Sequence, residues 1–128
     1  MKQAIVAESL GKPIGPYSQA IVSQGCVYVS GVLGADPQTG LLGGSISEQA
    51  EFALSGLRHI LAAAHSGLDQ VVKTTVFLKN LADFDLVNAI YAQHFPAPFP
   101  ARSCIEVARL PKDALIEIEA IAELTYIR

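Results

Sequence analysis

Leu115-Ile116-Glu117-Ile118-Glu119-Ala120-Ile121-Ala122-Glu123-Leu124 is the stretch on which the fold turns. Its alternation is strict. Ile116, Ile118, Ala120, Ala122 and Leu124 fall on one face, and Leu115, Glu117, Glu119, Ile121 and Glu123 on the other, the period of two that marks a strand. The first face is wholly aliphatic and has to be covered by another layer. The second mixes carboxylates with aliphatic side chains, so it is either solvated or an interface with a polar site cut into it. Upstream, Leu110-Pro111-Lys112-Asp113 turns the chain, and Arg102 to Ala108 alternates as a partner strand. Pro96, Pro98 and Pro100 forbid helix and central strand just before it, which predicts a rigid extended loop.

Two helices supply the covering layer. Ser45-Ile46-Ser47-Glu48 has capping-box spacing. Ala50, Ala53, Leu54, Leu57, Ile60, Leu61 and Ala64 then recur as an apolar stripe at helical period, with Gly67 expected as the left-handed residue past the end. A second helix is predicted from an Asp83 N-cap to Phe95, turning Phe84, Val87, Ile90, Tyr91 and Phe95 to the core. Between the helices, Val71 to Leu78 reads as a strand with Val72, Thr74, Val76 and Leu78 on one side. Near the N-terminus, Gln3 to Ala7 is a short strand, and Tyr17–Val22 with Cys26–Ser30 form a hairpin around Ser23-Gln24-Gly25. Gly11-Lys12-Pro13-Ile14-Gly15-Pro16 and Asp36-Pro37-Gln38-Thr39-Gly40 are loops. The order β-β-β-α-β-α-β-β is that of an α+β domain spanning residues 1–128, a mixed sheet with both helices on one face. If parity holds throughout, the other face carries Arg102, Cys104, Glu106, Glu117 and Glu119.

Composition narrows the function classes. The chain has 128 residues, 51 % of them hydrophobic and 16 % charged, with a net charge of −3. So apolar a small domain is expected to bury part of its surface against further copies of itself. The nine basic residues are scattered and form no footprint for nucleic acid. No apolar run is long enough to span a bilayer, and the first residues lack the long apolar region of an export signal. Cys26 and Cys104 are expected to be free thiols in a reducing cytoplasm. Nucleotide-cradling glycine motifs are absent, as is a Gly-x-Ser-x-Gly elbow. His59, His65 and His94 show neither metal-ligand spacing nor an obvious carboxylate partner, so no metal or cofactor is expected.

The residues suited to chemistry are few. Arg102 opens a strand after the proline-stiffened loop, a rigid base for bidentate capture of a small carboxylate. It could equally pair with Glu117 or Glu119 as a surface ion pair. Cys104 shares its face and is either a small hydrophobe or a thiol acidified by the guanidinium. Glu117 would serve as a general acid or base if partly buried. Tyr17 could aim its hydroxyl into the same cleft, and Ser30-Gly31 leaves bare backbone at a strand end.

Across nearly its whole length the sequence resembles the Rid (reactive intermediate deaminase) family, also called the YjgF family. The resemblance rests above all on Phe99-Pro100-Ala101-Arg102-Ser103-Cys104-Ile105-Glu106-Val107-Ala108-Arg109-Leu110-Pro111-Lys112-Asp113, leading into Ile116-Glu117-Ile118-Glu119-Ala120. Ile14-Gly15-Pro16-Tyr17-Ser18-Gln19-Ala20, Tyr28-Val29-Ser30-Gly31, Val72-Lys73-Thr74-Thr75-Val76-Phe77-Leu78 and Asp83-Phe84-x-x-Val87-Asn88-x-x-Tyr91 support it. The resemblance implies a chorismate-mutase-like fold, a homotrimer with clefts between subunits, and hydrolysis of 2-enamine and 2-imine acids to 2-keto acids and ammonia. Such imines leave pyridoxal-phosphate-dependent dehydratases; the protein itself would need no cofactor. Carried onto this chain, Arg102 would hold the substrate carboxylate and Glu117 would activate water. Tyr17 would line the cleft, and the backbone at Gly31 and Cys104 would hold the imine end. Ser30 and Asn88 match cleft positions. Many members have glutamine after the Ser-Gly pair where this chain has Val32, which implies a more apolar cleft wall. Two other readings follow from the same resemblance: a trimeric regulatory module that binds a small carboxylate without turning it over, and an endoribonuclease or chaperone-like protein.

Overall fold

A computed structural model describes residues 1–125. Its strands are β1 (Gln3–Ile5), β2 (Ala20–Ser23), β3 (Cys26–Leu33), β4 (Val71–Leu78), β5 (Ala101–Glu106) and β6 (Ile116–Glu123), and its helices are α1 (Ile46–Ala63) and α2 (Phe84–His94). The strands form one sheet in the order β1-β2-β3-β6-β4-β5. Only β4 and β5 run parallel, joined by the α2 crossover; every other pair is antiparallel. This is the expected mixed α+β sheet.

The strand that decides the fold lies at its centre. Ile116, Ile118 and Ala122 are fully buried beneath the helices with Val27, Val76 and Leu78. Over them α1 lays Ala50, Ala53, Leu54, Leu57 and Leu61, and α2 packs beside it with Val87, Ile90 and Tyr91 inward. Both helices therefore cover one face. A buried Leu or Ile is worth about 1.5–3 kcal/mol, so the aliphatic side of β6 anchors the domain. At the head of α1 the Ser45 hydroxyl accepts the Glu48 N–H (3.2 Å). The Glu48 carboxylate reaches one residue further back than a capping box requires, to the Gly44 N–H (2.7 Å).

Four local expectations are corrected. The β2 strand begins at Ala20, because Tyr17 is held in a tight loop by its own N–H to the Gly15 carbonyl (2.8 Å). After α1 the left-handed residue is His65 (φ 59°), while Gly67 is extended. Asp83 makes no side-chain cap; Asn80 does so one turn earlier, accepting the Ala82 N–H (2.9 Å). In β4 a register shift between Val71 and Lys73 turns Val71 inward and leaves Val72 exposed, the usual effect of a bulge on parity.

The fifth correction bears on function. Arg102 and Cys104 pair with Thr74 and Val76 of β4, both wholly buried under the helices, and Glu106 pairs with Leu78. Paired residues of adjacent strands share a face, so Arg102, Cys104 and Glu106 lie on the helix side of the sheet edge. Glu117 and Glu119 pair with Phe77 and Thr75, on the opposite face. The expected meeting of all five on one face does not occur, and with it goes an ion pair between Arg102 and either strand carboxylate.

Candidate active site

The functional candidates gather in two places. The first is a cavity of about 450 Å³ whose lining includes Tyr17, Ser30, Gly31, Lys112 and Glu117. The second is a recess of about 280 Å³ formed by Asn88, Tyr91, Ala92, Phe99, Pro100 and Arg102.

In the first, β3 shifts register between Val29 and Val32, which frees the Ser30-Gly31 backbone from regular pairing. The Ser30 hydroxyl donates to the Ser18 carbonyl (2.6 Å), tying the Tyr17 loop to the strand. Gly31 has no Cβ for a steric reason: one placed there would lie 2.6 Å from the Glu117 carboxyl carbon. The carboxyl thus rests on bare backbone. Burial pushes its pKa above the ordinary value of 4.5, and the neighbouring Glu119 charge adds to the rise. Opposite, Lys112 and Asp113 both adopt left-handed backbone (φ 58° and 55°), and an ion pair from Lys79 to Asp113 (2.8 Å) braces them. By sequence Leu110-Pro111-Lys112-Asp113 is an ordinary turn; nothing in it signals two consecutive left-handed non-glycine residues, a strain of about 1–3 kcal/mol each.

The second place is built around the guanidinium of Arg102. It lies over the ring of Tyr91 (4.8 Å to the centroid) and near that of Phe84 (5.6 Å), within cation–π range. The Tyr91 hydroxyl bonds the buried Thr74 hydroxyl (2.7 Å), and burial raises its pKa, so it stays neutral. The arginine rests on an aromatic platform, and among the described residues it makes no ion pair. Tyr91 is in the core as its spacing predicts, whereas Phe84, also predicted to face inward, is exposed; their spacing from Asn88 along one helix is the signal for the platform. Tyr91→Phe keeps the platform but strands the Thr74 hydroxyl. It should lower unfolding free energy by about 1–3 kcal/mol, the usual penalty for an unpartnered buried polar group, read by urea denaturation. Cys104 sits below Arg102 against the core. Burial pushes its thiol up, and the guanidinium only partly offsets this. A protonated thiol is a wall, not a nucleophile.

Among the histidines, His94 finds a partner the sequence did not suggest, the Glu51 carboxylate (2.7 Å), and His59 bonds the Ser55 carbonyl. Neither approaches the two recesses.

Comparison with known proteins places this architecture. The family described as endoribonuclease L-PSP matches residues 7–124. The chain is 51 % identical over 123 residues to the RutC family protein UK114 of Drosophila melanogaster, covering 95 % of this chain and 89 % of that protein. It is 47 % identical over 125 residues to a 2-iminobutanoate/2-iminopropanoate deaminase of Salmonella typhimurium, covering 95 % and 98 %. The crystal structure of E. coli TdcF with bound serine superposes with a TM-score of 0.90 at 37 % identity, covering 96 % of this chain and 99 % of that one. The chain belongs to the L-PSP family, which is the Rid/YjgF family its sequence resembles.

Proposed function

We propose that this protein hydrolyses small 2-imino acids and their enamine tautomers, such as 2-iminobutanoate and 2-iminopropanoate, to 2-keto acids and ammonia. It works as a homotrimer in the cytoplasm, downstream of pyridoxal-phosphate-dependent dehydratases. One observation carries the reading: the Arg102 guanidinium, seated on Tyr91, and the partly buried Glu117 carboxyl lie on opposite faces of the sheet in one chain. They meet when the Arg102 recess of one subunit closes on the Glu117 cavity of the next. The activity named for the Salmonella typhimurium relative supports the same chemistry.

In this reaction Arg102 holds the substrate carboxylate, with Asn88 beside it. Glu117 takes a proton from water as the oxygen adds to the imine carbon. It returns that proton to nitrogen to give a carbinolamine, then carries the hydroxyl proton to the amine, so that the C–N bond breaks as the C=O bond forms and ammonia leaves behind the keto acid. Tyr17 and the Gly31 backbone confine the reacting centre, and Ser30 fixes the loop that carries Tyr17. Imines already hydrolyse in water, so orientation and one proton shuttle suffice.

Adding the protein to a threonine dehydratase reaction containing semicarbazide should lower the trapped imine and speed release of 2-oxobutanoate. Unchanged trapping at micromolar protein overturns the reading. A regulatory module would bind the keto acid and leave trapping untouched.

A further inference from the structure

The cavity beside Glu117 is far larger than an ethyl or methyl side chain requires. At liquid density about 450 Å³ corresponds to roughly fifteen water molecules. Its shape has a cause in the sheet. Strand β2 stops pairing with β3 at Ala20–Val29, and the last link on that side is the Ser30 N–H to the Gln19 carbonyl (3.0 Å). Beyond it, Val32 and Leu33 pair only with β6 on the other side, and the cavity lies along the unpaired edge. It runs from Glu117 and Tyr17 past the edge of β3 to the flank of α1. There the wall is Leu10, Ile14, Leu33, Leu42, Phe52 and Ile60. Gly56 lets α1 pack closely on the β3 edge: Val32 Cγ1 would lie 3.1 Å from any Cβ there.

From this continuity of a reacting centre with an apolar chamber, we infer that the chamber is the side-chain subsite and that the preferred substrates are 2-imino acids with branched or larger apolar side chains, such as the imine of leucine. The inference rests on the proposed imine hydrolysis. With the carboxylate held by Arg102 of a neighbouring subunit and the imine carbon at Glu117, the side chain is the remaining part free to enter the chamber. Small side chains leave the chamber wet; an isobutyl group displaces water from it. A single methylene changes discrimination by about 10–200-fold in a fitted apolar pocket, so a loosely fitted chamber of this kind should give a preference at the lower end of that range.

The test generates imines in place from leucine and from alanine with an amino-acid oxidase and catalase, and follows suppression of semicarbazone formation. The expected result is a kcat/KM for the leucine imine at least about tenfold above that for the alanine imine. Phe52→Asp, on the partly exposed flank of α1, should cut that ratio by about tenfold or more by placing a charge in the chamber. Its folding is checked by circular dichroism. A wild-type ratio of one or below overturns the subsite while leaving imine hydrolysis standing. No turnover of either imine overturns the hydrolysis and the subsite together.

Discussion

Arg102→Ala is expected to lower kcat/KM for 2-iminobutanoate by about 10²–10³-fold without changing subunit assembly. Removing one partner of a desolvated charge pair costs about 2–5 kcal/mol, and each 1.4 kcal/mol or so is tenfold. Much of the loss should fall on KM, because the guanidinium holds a carboxylate that is present before and after the chemical step. Arg102→Lys keeps the charge but loses both the fork and the flat face that rests on Tyr91 (4.8 Å), so it should fall between the two. Steady-state assays with size-exclusion chromatography check this. An alanine variant with wild-type kcat/KM removes Arg102 from the site.

Glu117→Gln should lower kcat by about 10²–10⁴-fold, the range for loss of a general acid–base group, while affinity for a keto-acid product stays within a few-fold. Its pH behaviour follows from the raised pKa. The folded state holds the proton more tightly than the unfolded chain, so the ionised form destabilises the fold. That penalty is fully present above the folded pKa and vanishes below the ordinary value of 4.5. The glutamine variant should therefore be more stable than wild type at neutral pH, with the gain shrinking as pH falls through the folded pKa. In the wild type, kcat should decline over the same interval as the base becomes protonated. Chains carrying Arg102→Ala and Glu117→Gln, each inactive alone, should regain activity when refolded together, since random mixing restores roughly one cleft in four with both groups intact. No recovery would overturn a cleft shared between subunits.

The strands and helices were legible because their signals are local. The alternation of Ile116 to Glu123, the serine ahead of α1 and the proline run before Ala101 each constrain the backbone within a few residues. What alternation cannot supply is which face of one strand matches which face of another. Arg102 and Glu117 each alternate correctly within their own strands. Their relative side is fixed by the pairing of Arg102 with Thr74 and of Glu117 with Phe77, and one residue of offset reverses it. The same limit hid the bulge at Val72. The residues of the site were identified through the family resemblance; the Tyr91 platform and the left-handed Lys112 come only from packing and backbone geometry.

The two halves of the site also differ in how far the chain must travel to make them. The Arg102 recess is assembled within the β4-α2-β5 crossover, residues 71–106, a continuous stretch that closes on itself. Tyr17, Gly31 and Glu117 are drawn from both ends of the chain, so their cavity exists only once the whole sheet has zipped. Closure entropy grows slowly with loop length, about 0.6 kcal/mol per doubling, so the price in stability is small. The consequence is one of timing and dependence: the Arg102 recess is a local product of folding, and the Glu117 cavity is a global one. If Glu117 acts as proposed, partly folded chains lack the reaction, because its carboxyl has no seat beside Gly31 until the last strand is in place.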